Sequence, residues 1–193
     1  MGRRRKNKFY QLKGNSREVV PGPLNWKGRF ECVLPEGVVW ISGAYTNHPC
    51  VVQFGRYARD YIHARVETYL SRPQESRDAP CSLFQNCGGC KLQHLPYEAQ
   101  LEEKKELFLR ELSNHPYIRD HGKEIKIHPS PTEFSFRNKM EFSFSKNPEG
   151  ELVLGLHEEG SFSKVLDVTS CLIQSEPMNS VLSSVKNWAR RHR

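Results

Sequence analysis

Near the start of the chain lie four short runs rich in apolar residues, the last of them alternating apolar with polar, and together they predict strands rather than helices. The runs cover 30–34, 38–41, 50–54 and 61–70. Pro35-Glu36-Gly37 and Asn47-His48-Pro49 divide them, and both are residue types that turn a chain and withhold donors from a ladder. Four or five such strands over about 45 residues predict a small barrel of the oligonucleotide-binding type.

The period lengthens after Ser71-Arg72-Pro73. Over 97–112, Tyr97, Leu101, Phe108 and Leu112 fall on one helical stripe, with Glu98 and Glu102 early and Arg110 late, as the helix dipole favours. Asn114-His115-Pro116 stops this helix. Strands are predicted next at 125–128, at 139–145 with Met140, Phe142 and Phe144 alternating, at 152–157 and at 164–168. Asn147-Pro148-Glu149-Gly150 reads as a hairpin turn. The last element predicted is an amphipathic helix over 178–191, with Val181, Leu182, Val185 and Trp188 on one face. The expected fold class is therefore mixed, β-rich α+β: a small barrel over 30–73, then a sheet domain with two amphipathic helices over 74–193.

Charge adds a segment to this picture. The 193 residues carry a net charge of +7, yet residues 1–29 alone hold nine basic residues against Glu18. The excess is thus a property of a basic arm, expected to be disordered, ending at Pro21-Gly22-Pro23. Such an arm either attracts nucleic-acid phosphate or is a solvated terminus. The hydrophobic content of 37% is ordinary for a globular protein, and no apolar run approaches the roughly 18 residues of a membrane span. No apolar stretch follows Arg3-Arg4-Arg5, so a secretory signal is not expected and a cytoplasmic, reducing compartment is.

In a reducing compartment, six cysteines argue for metal or catalysis rather than disulfides. Cys81, Cys87 and Cys90 lie in one loop and Cys171 about 80 residues further on. Two residues between Cys87 and Cys90 let the chain curl around a metal-bound corner. Gly88 and Gly89 supply left-handed backbone freedom and bring N–H groups toward sulfur. The spacing favours an iron-sulfur cluster. Four thiolates also suit zinc, although zinc ribbons commonly pair two close Cys-x-x-Cys knuckles rather than three cysteines with a distant fourth. A remote fourth ligand would staple the loop to a later strand. Cys32 and Cys50, each alone in a predicted strand, read as core residues. In the barrel, Arg56, Tyr57, Arg59, Tyr61 and Arg65 suit RNA, although any half-buried strand alternates in the same way.

The residues Asn86-Cys87-Gly88-Gly89-Cys90-Lys91-Leu92-Gln93-His94-Leu95, then Tyr97, Gln100-Leu101 and Lys104, then Phe136-Arg137-Asn138-Lys139-Met140-Glu141-Phe142, and finally Leu154-Gly155, Asp167 and Cys171 form an ordered set. Through them the chain resembles the iron-sulfur-containing RNA uracil-5-methyltransferases, which form 5-methyluridine in ribosomal or transfer RNA. The resemblance covers about residues 75–180. Upstream, 37–66 with Ser42-Gly43-Ala44 is similar to the small RNA-binding barrel called TRAM, but Pro35-Glu36-Gly37 replaces a common Gly-x-Gly turn.

The resemblance implies that Cys81, Cys87, Cys90 and Cys171 ligate a 4Fe-4S cluster that supports folding and RNA recognition. It implies RNA contacts at Arg137 and Lys139, with Phe136 as a stacking residue; the alternation of Phe134 and Phe136 with Met140, Phe142 and Phe144 equally suits a core position. Arg56 and Arg59 complete the expected RNA contacts. Methylation at C5 of uracil also needs a cysteine nucleophile, a base and S-adenosylmethionine. In the family these belong to a later α/β domain, and no glycine-rich cofactor turn is found in these 193 residues. The expectation is a monomeric, RNA-recognising, iron-sulfur portion whose catalytic domain lies C-terminal to it, S-adenosylmethionine being needed only by the complete enzyme. A free-standing iron-sulfur or zinc RNA-binding module is the alternative.

Overall fold

The computed structural model describes residues 8–121 and 125–192. Two compact units divide the chain: Met1–Asp78 with His94–Ile127, and Ala79–Gln93 with His128–Arg193. Among the described residues, no helix is long and apolar enough to cross a membrane.

The first unit is built on five strands, β1 (Ser16–Val19), β2 (Phe30–Leu34), β3 (Gly37–Ser42), β4 (Cys50–Tyr57) and β5 (Tyr61–Tyr69), hydrogen-bonded in the order β1-β4-β5-β3-β2. All neighbours are antiparallel except β3 and β5. Alternation buries Val39, Ile41, Val52, Phe54, Ile62 and Ala64 on one face. On the opposite face Trp40 stacks on Tyr61, ring centroids 3.6 Å apart. The sheet is mixed, with β1 and β2 at the two ends of its strand order, where a small barrel was expected. Register shifts in β4 lengthen that strand beyond the predicted run.

The basic segment is where expectation and structure part most clearly. Residues 8–29 are not a disordered arm: Phe9, Leu12, Val19 and Leu24 are buried, and β1 pairs along β4. Gly14 N–H donates to the Phe54 carbonyl and Phe54 N–H to that of Asn15, extending the ladder. Four apolar side chains spaced among the cations are enough to dock the segment, while Arg17 keeps its charge at the surface in a pair with Glu36, 3.2 Å. Arg3, Arg4, Arg5 and Lys6 lie outside the described residues.

Helix α1 (Tyr97–Glu111) matches the predicted span but groups with the first unit, not with the cysteine segment. Its polar side chains find partners there: Glu103 accepts from the Thr46 hydroxyl at 2.8 Å, and Arg110 donates to the Leu24 carbonyl. No residue of α1 is fully buried, and Phe108 and Leu112 are exposed. Pro116 both ends that run and opens a short helix α2 (Pro116–His121), since proline suits a first helical turn. The strand predicted at 125–128 does not form.

The second unit holds an antiparallel sheet of β6 (Ser143–Lys146), β7 (Leu152–His157) and β8 (Val165–Asp167), followed by α3 (Glu176–Arg191). The predicted 139–145 strand is shorter and later because the preceding backbone is bonded elsewhere: Ser135 N–H donates to Leu172 and Arg137 N–H to Ile173. Leu154, Val168 and Leu182 form the core. Only Leu182 of the predicted apolar face of α3 is buried; Val181, Val185 and Trp188 are exposed, and Asn179 and Lys186 turn inward instead. Lys186 can do so because its ammonium meets Asp167 at 2.6 Å and the Val168 carbonyl at 3.2 Å.

Gly155 sits where β7 and β8 approach most closely: a Cβ there would stand 1.8 Å from the Leu166 carbonyl oxygen. Gly155→Ala is expected to destabilise the second unit by about 3 kcal/mol, measured as a lowered urea midpoint. In the first unit, burial pulls His94 down to about 4, opposed by its hydrogen bond to the Ala44 carbonyl. The unfolded chain therefore binds a proton that the folded chain refuses, and stability is lost as pH falls from about 6.5 to about 4. Unfolding at several pH values should show that loss, and His94→Gln should flatten it.

Candidate metal centre

The cysteine loop is held against the end of β7 by backbone bonds. Gly88 N–H donates to the His157 carbonyl at 3.1 Å, and Glu159 N–H to that of Asn86 at 2.8 Å. Cys87 N–H donates to the Leu83 carbonyl, closing the turn that begins at Cys81. Lys91 completes the attachment through an ion pair with Glu159, 3.1 Å.

The glycines do not take the left-handed backbone that the sequence suggested. Left-handed backbone in this loop falls at Gln85, φ 67°, and not at Gly88 or Gly89. A Cβ at Gly88 would stand 3.4 Å from the His157 carbonyl oxygen, and one at Gly89 3.5 Å from the Cys87 sulfur, both ordinary van der Waals contacts. The Gly89 N–H does point at the Cys87 Sγ, 3.4 Å away.

Cys171 is positioned by α3. Asn179 Oδ1 accepts from the Cys171 N–H at 2.9 Å, and its Nδ2 donates back to the Cys171 carbonyl. Gln174 Nε2 donates to the same Asn179 oxygen. With both segments so fixed, Cys81, Cys87, Cys90 and Cys171 line one cavity of about 70 Å³, walled largely by Leu83, Phe84, Met140 and Leu156. Burial raises the Cys87 and Cys90 thiols above their ordinary values. The Gly89 N–H and Lys91 oppose this at Cys87 and Gln93 at Cys90, while negative charge on the neighbouring cysteines adds to it. Among the described residues, no three His, Cys, Asp or Glu side chains converge tightly enough to hold a metal ion.

Two polar residues organise this site: Gln93, which the sequence gives only as part of the matching motif, and Asn179, which it does not single out. Gln93 Oε1 accepts from the Cys81 N–H at 3.2 Å, and Asn179 clamps Cys171. Only the proximity of Gln93 to Cys90 in the chain hinted at either. Cys32 and Cys50 are separate from the cavity, in β2 and β4, with burial pushing each thiol up to about 11.

The expected RNA contacts divide between the units. Arg56, at the end of β4, and Arg59, in the following turn, are exposed in the first. In the second, Phe136 is 57% exposed and so is not a core residue, and Lys139 pairs with Glu141 in open solvent at 2.9 Å. Arg137 is exposed but also lines the cysteine cavity.

No family model matches the chain. An uncharacterized RNA methyltransferase of Caldanaerobacter subterraneus subsp. tengcongensis is 39% identical over 149 residues, 77% of this chain and 33% of that protein. Uncharacterized RNA methyltransferases of Bacillus cereus and Staphylococcus aureus are each 28% identical over 77% of the chain and 32% of their own length. The chain thus spans about a third of the curated relatives it matches. In fold, it is similar to the crystal structure of the Pyrococcus abyssi tRNA (uracil-54, C5)-methyltransferase in complex with S-adenosyl-L-homocysteine, with a TM-score of 0.56 and 19% identity over 90% of this chain and 37% of that one.

Asn179→Leu keeps the branched outline of the clamp but leaves the Cys171 N–H and carbonyl without their partner. It should cost about 2 kcal/mol and speed amide hydrogen exchange at Cys171, with β1–β5 amides unchanged.

Proposed function

We propose that this chain is the RNA-recognition and iron-sulfur portion of an S-adenosylmethionine-dependent RNA uracil-5-methyltransferase. The observation that carries the proposal is the convergence of Cys81, Cys87, Cys90 and Cys171 on one cavity from segments about 80 residues apart. Four thiolates also suit tetrahedral zinc, but zinc ribbons commonly pair two close Cys-x-x-Cys knuckles, whereas here three cysteines share one loop and the fourth is remote. A 4Fe-4S cluster takes each thiolate on a different iron, so its ligands ring a cavity instead of meeting at a point. The apolar walls and the Gly89 N–H directed at sulfur suit that group. When bound, it would supply a fixed polynuclear centre joining the two cysteine segments.

Similarity to RNA methyltransferases supplies the substrate class, and the uracil-C5 specificity of the Pyrococcus protein supplies the choice of base. The chain's own residues would bind and orient RNA: Arg56 and Arg59 by neutralising phosphate, Lys139 likewise, and the exposed Phe136 ring by stacking on an unpaired base. The methyl donor and the attacking cysteine belong to the complete enzyme rather than to any residue of this cavity.

Anaerobic purification should yield a brown protein with about four irons per chain, and Cys171→Ala should lose them. RNA affinity should fall steeply with salt. Stoichiometric zinc without iron, or RNA binding insensitive to salt, would overturn the proposal.

A further inference from the structure

The folded part of the basic segment ends in a turn that holds an indole out in water. Asn25 builds the turn. Its N–H donates to the Arg29 carbonyl at 2.7 Å, and its carbonyl accepts from the Gly28 N–H at 2.9 Å. Its side chain fixes the rest: Oδ1 accepts from the Lys27 and Arg29 N–H groups at 2.9 and 3.0 Å, and Nδ2 donates to the Glu31 carboxylate at 2.9 Å. Gly28 closes the turn in left-handed backbone, φ 70°. Leu24, Asn25 and Arg29 are buried on either side of the tip, whereas Trp26 is 66% exposed and Lys27 is exposed with it. The Lys27 Nζ stands 4.0 Å from the centre of the Trp26 ring, in cation–π contact. Tryptophan offers one of the largest apolar surfaces available for burial, and the bonds that close this turn would close it equally well around a polar residue.

We propose that Trp26 and Lys27 form a binding tip for single-stranded RNA, the indole stacking on one unpaired base and the ammonium meeting a phosphate beside it. The proposal rests on the RNA reading above and adds to it a site separate from Arg56, Arg59, Phe136 and Lys139. An ammonium over one ring face leaves the other to a base. A base inside a duplex has no free face to offer, so the tip selects unpaired RNA. The turn holds its geometry by its own hydrogen bonds, and little ordering remains to be done on binding. An apolar protein surface is the poorer fit, because docking on Trp26 would strip water from the Lys27 ammonium without supplying an anion. A polyanion supplies one at every residue, and the nine cations of 1–29 against Glu18 attract it to this end of the chain.

The test uses the full chain, unsubstituted and as Trp26→Ala, Trp26→Phe and Lys27→Gln. The probes are labelled oligouridylate, the same ribose-phosphate backbone without bases, and a blunt RNA duplex. Trp26→Ala should weaken oligouridylate binding about tenfold and leave the abasic backbone and the duplex unchanged, while Trp26→Phe, which keeps a ring, should retain most of the affinity. Oligouridylate should quench indole fluorescence in the unsubstituted chain and much less in Trp26→Phe, where only Trp40 and Trp188 remain. Lys27→Gln should make the salt dependence shallower by about 0.7 in slope, for oligouridylate and abasic backbone alike. A merely structural role would not separate base-bearing from abasic RNA. Equal affinity of Trp26→Ala and the unsubstituted chain for oligouridylate would overturn the proposal, and so would an equal loss on the abasic backbone. Should Trp26→Ala unfold at a lower temperature, the fluorescence comparison decides instead, and a quench identical in the unsubstituted chain and Trp26→Phe counts against stacking. If the unsubstituted chain shows no salt-dependent binding of oligouridylate, the RNA reading falls and the proposal with it. If it binds and substitution at Trp26 changes nothing, the proposal alone falls, and the indole is left to a protein contact.

Discussion

The clamp that Asn179 places on the backbone of Cys171 decides how the second unit is put together. Asn179, Leu182 and Lys186 are the buried residues of α3, and two of the three are polar. A helix docked only by an apolar stripe can slide or rotate at little cost. One whose inward face carries an amide bonded to the Cys171 peptide and an ammonium bonded to Asp167 cannot. Any shift strands buried donors at about 1–3 kcal/mol each. The polar half of the helix thus sets where Cys171 stands, and Leu182 packed on Leu154 and Val168 supplies the apolar burial that holds it.

The cysteine loop reaches the same cavity by a different means, as an extension of the β7 end. Its attachment is backbone to backbone, Gly88 N–H to the His157 carbonyl and Glu159 N–H to that of Asn86. The enclosure that results favours neutral thiols while nothing positive is bound: burial raises Cys87 and Cys90, and each cysteine that ionises makes its neighbours harder to ionise. The proposed cluster would reverse this balance, since thiolates bonded to a metal stay deprotonated. Its binding would then be coupled to the joining of two segments that are distant in sequence.

How far the sequence reveals this architecture depends on which kind of signal an element carries. Strand β7 was legible because a short apolar run follows a hairpin turn, and β2 matches its predicted bounds. Segment 8–29 was not, because nine cations over 1–29 outweigh the few apolar residues, Phe9 and Leu12 among them, that dock it. For α3 the apolar stripe was real but misleading, since Val181, Val185 and Trp188 face water while Lys186 is buried against Asp167. A lysine's partner cannot be read from its neighbours in the chain. The same is true of Asn179 and Gln93, whose work is to accept peptide N–H groups supplied by distant or locally folded backbone. The cysteines were legible by spacing, their common cavity only by folding.

The 134–139 segment shows where such a failure carries information. Alternation with Met140, Phe142 and Phe144 would place Phe136 inside, yet the ring is 57% exposed, and the residue before it, Ser135, is held at φ 57°. A non-glycine residue in the left-handed region costs about 1–2 kcal/mol, and an exposed phenyl ring forgoes its burial energy as well. The bonds from Ser135 and Arg137 to Leu172 and Ile173 offset these costs, and they anchor to the stretch that Cys171 begins. Nothing in core packing requires a ring held outward on a strained turn. Its presentation is intelligible if an aromatic partner such as an unstacked base is to meet it, and it then depends on the same clamp that sets Cys171.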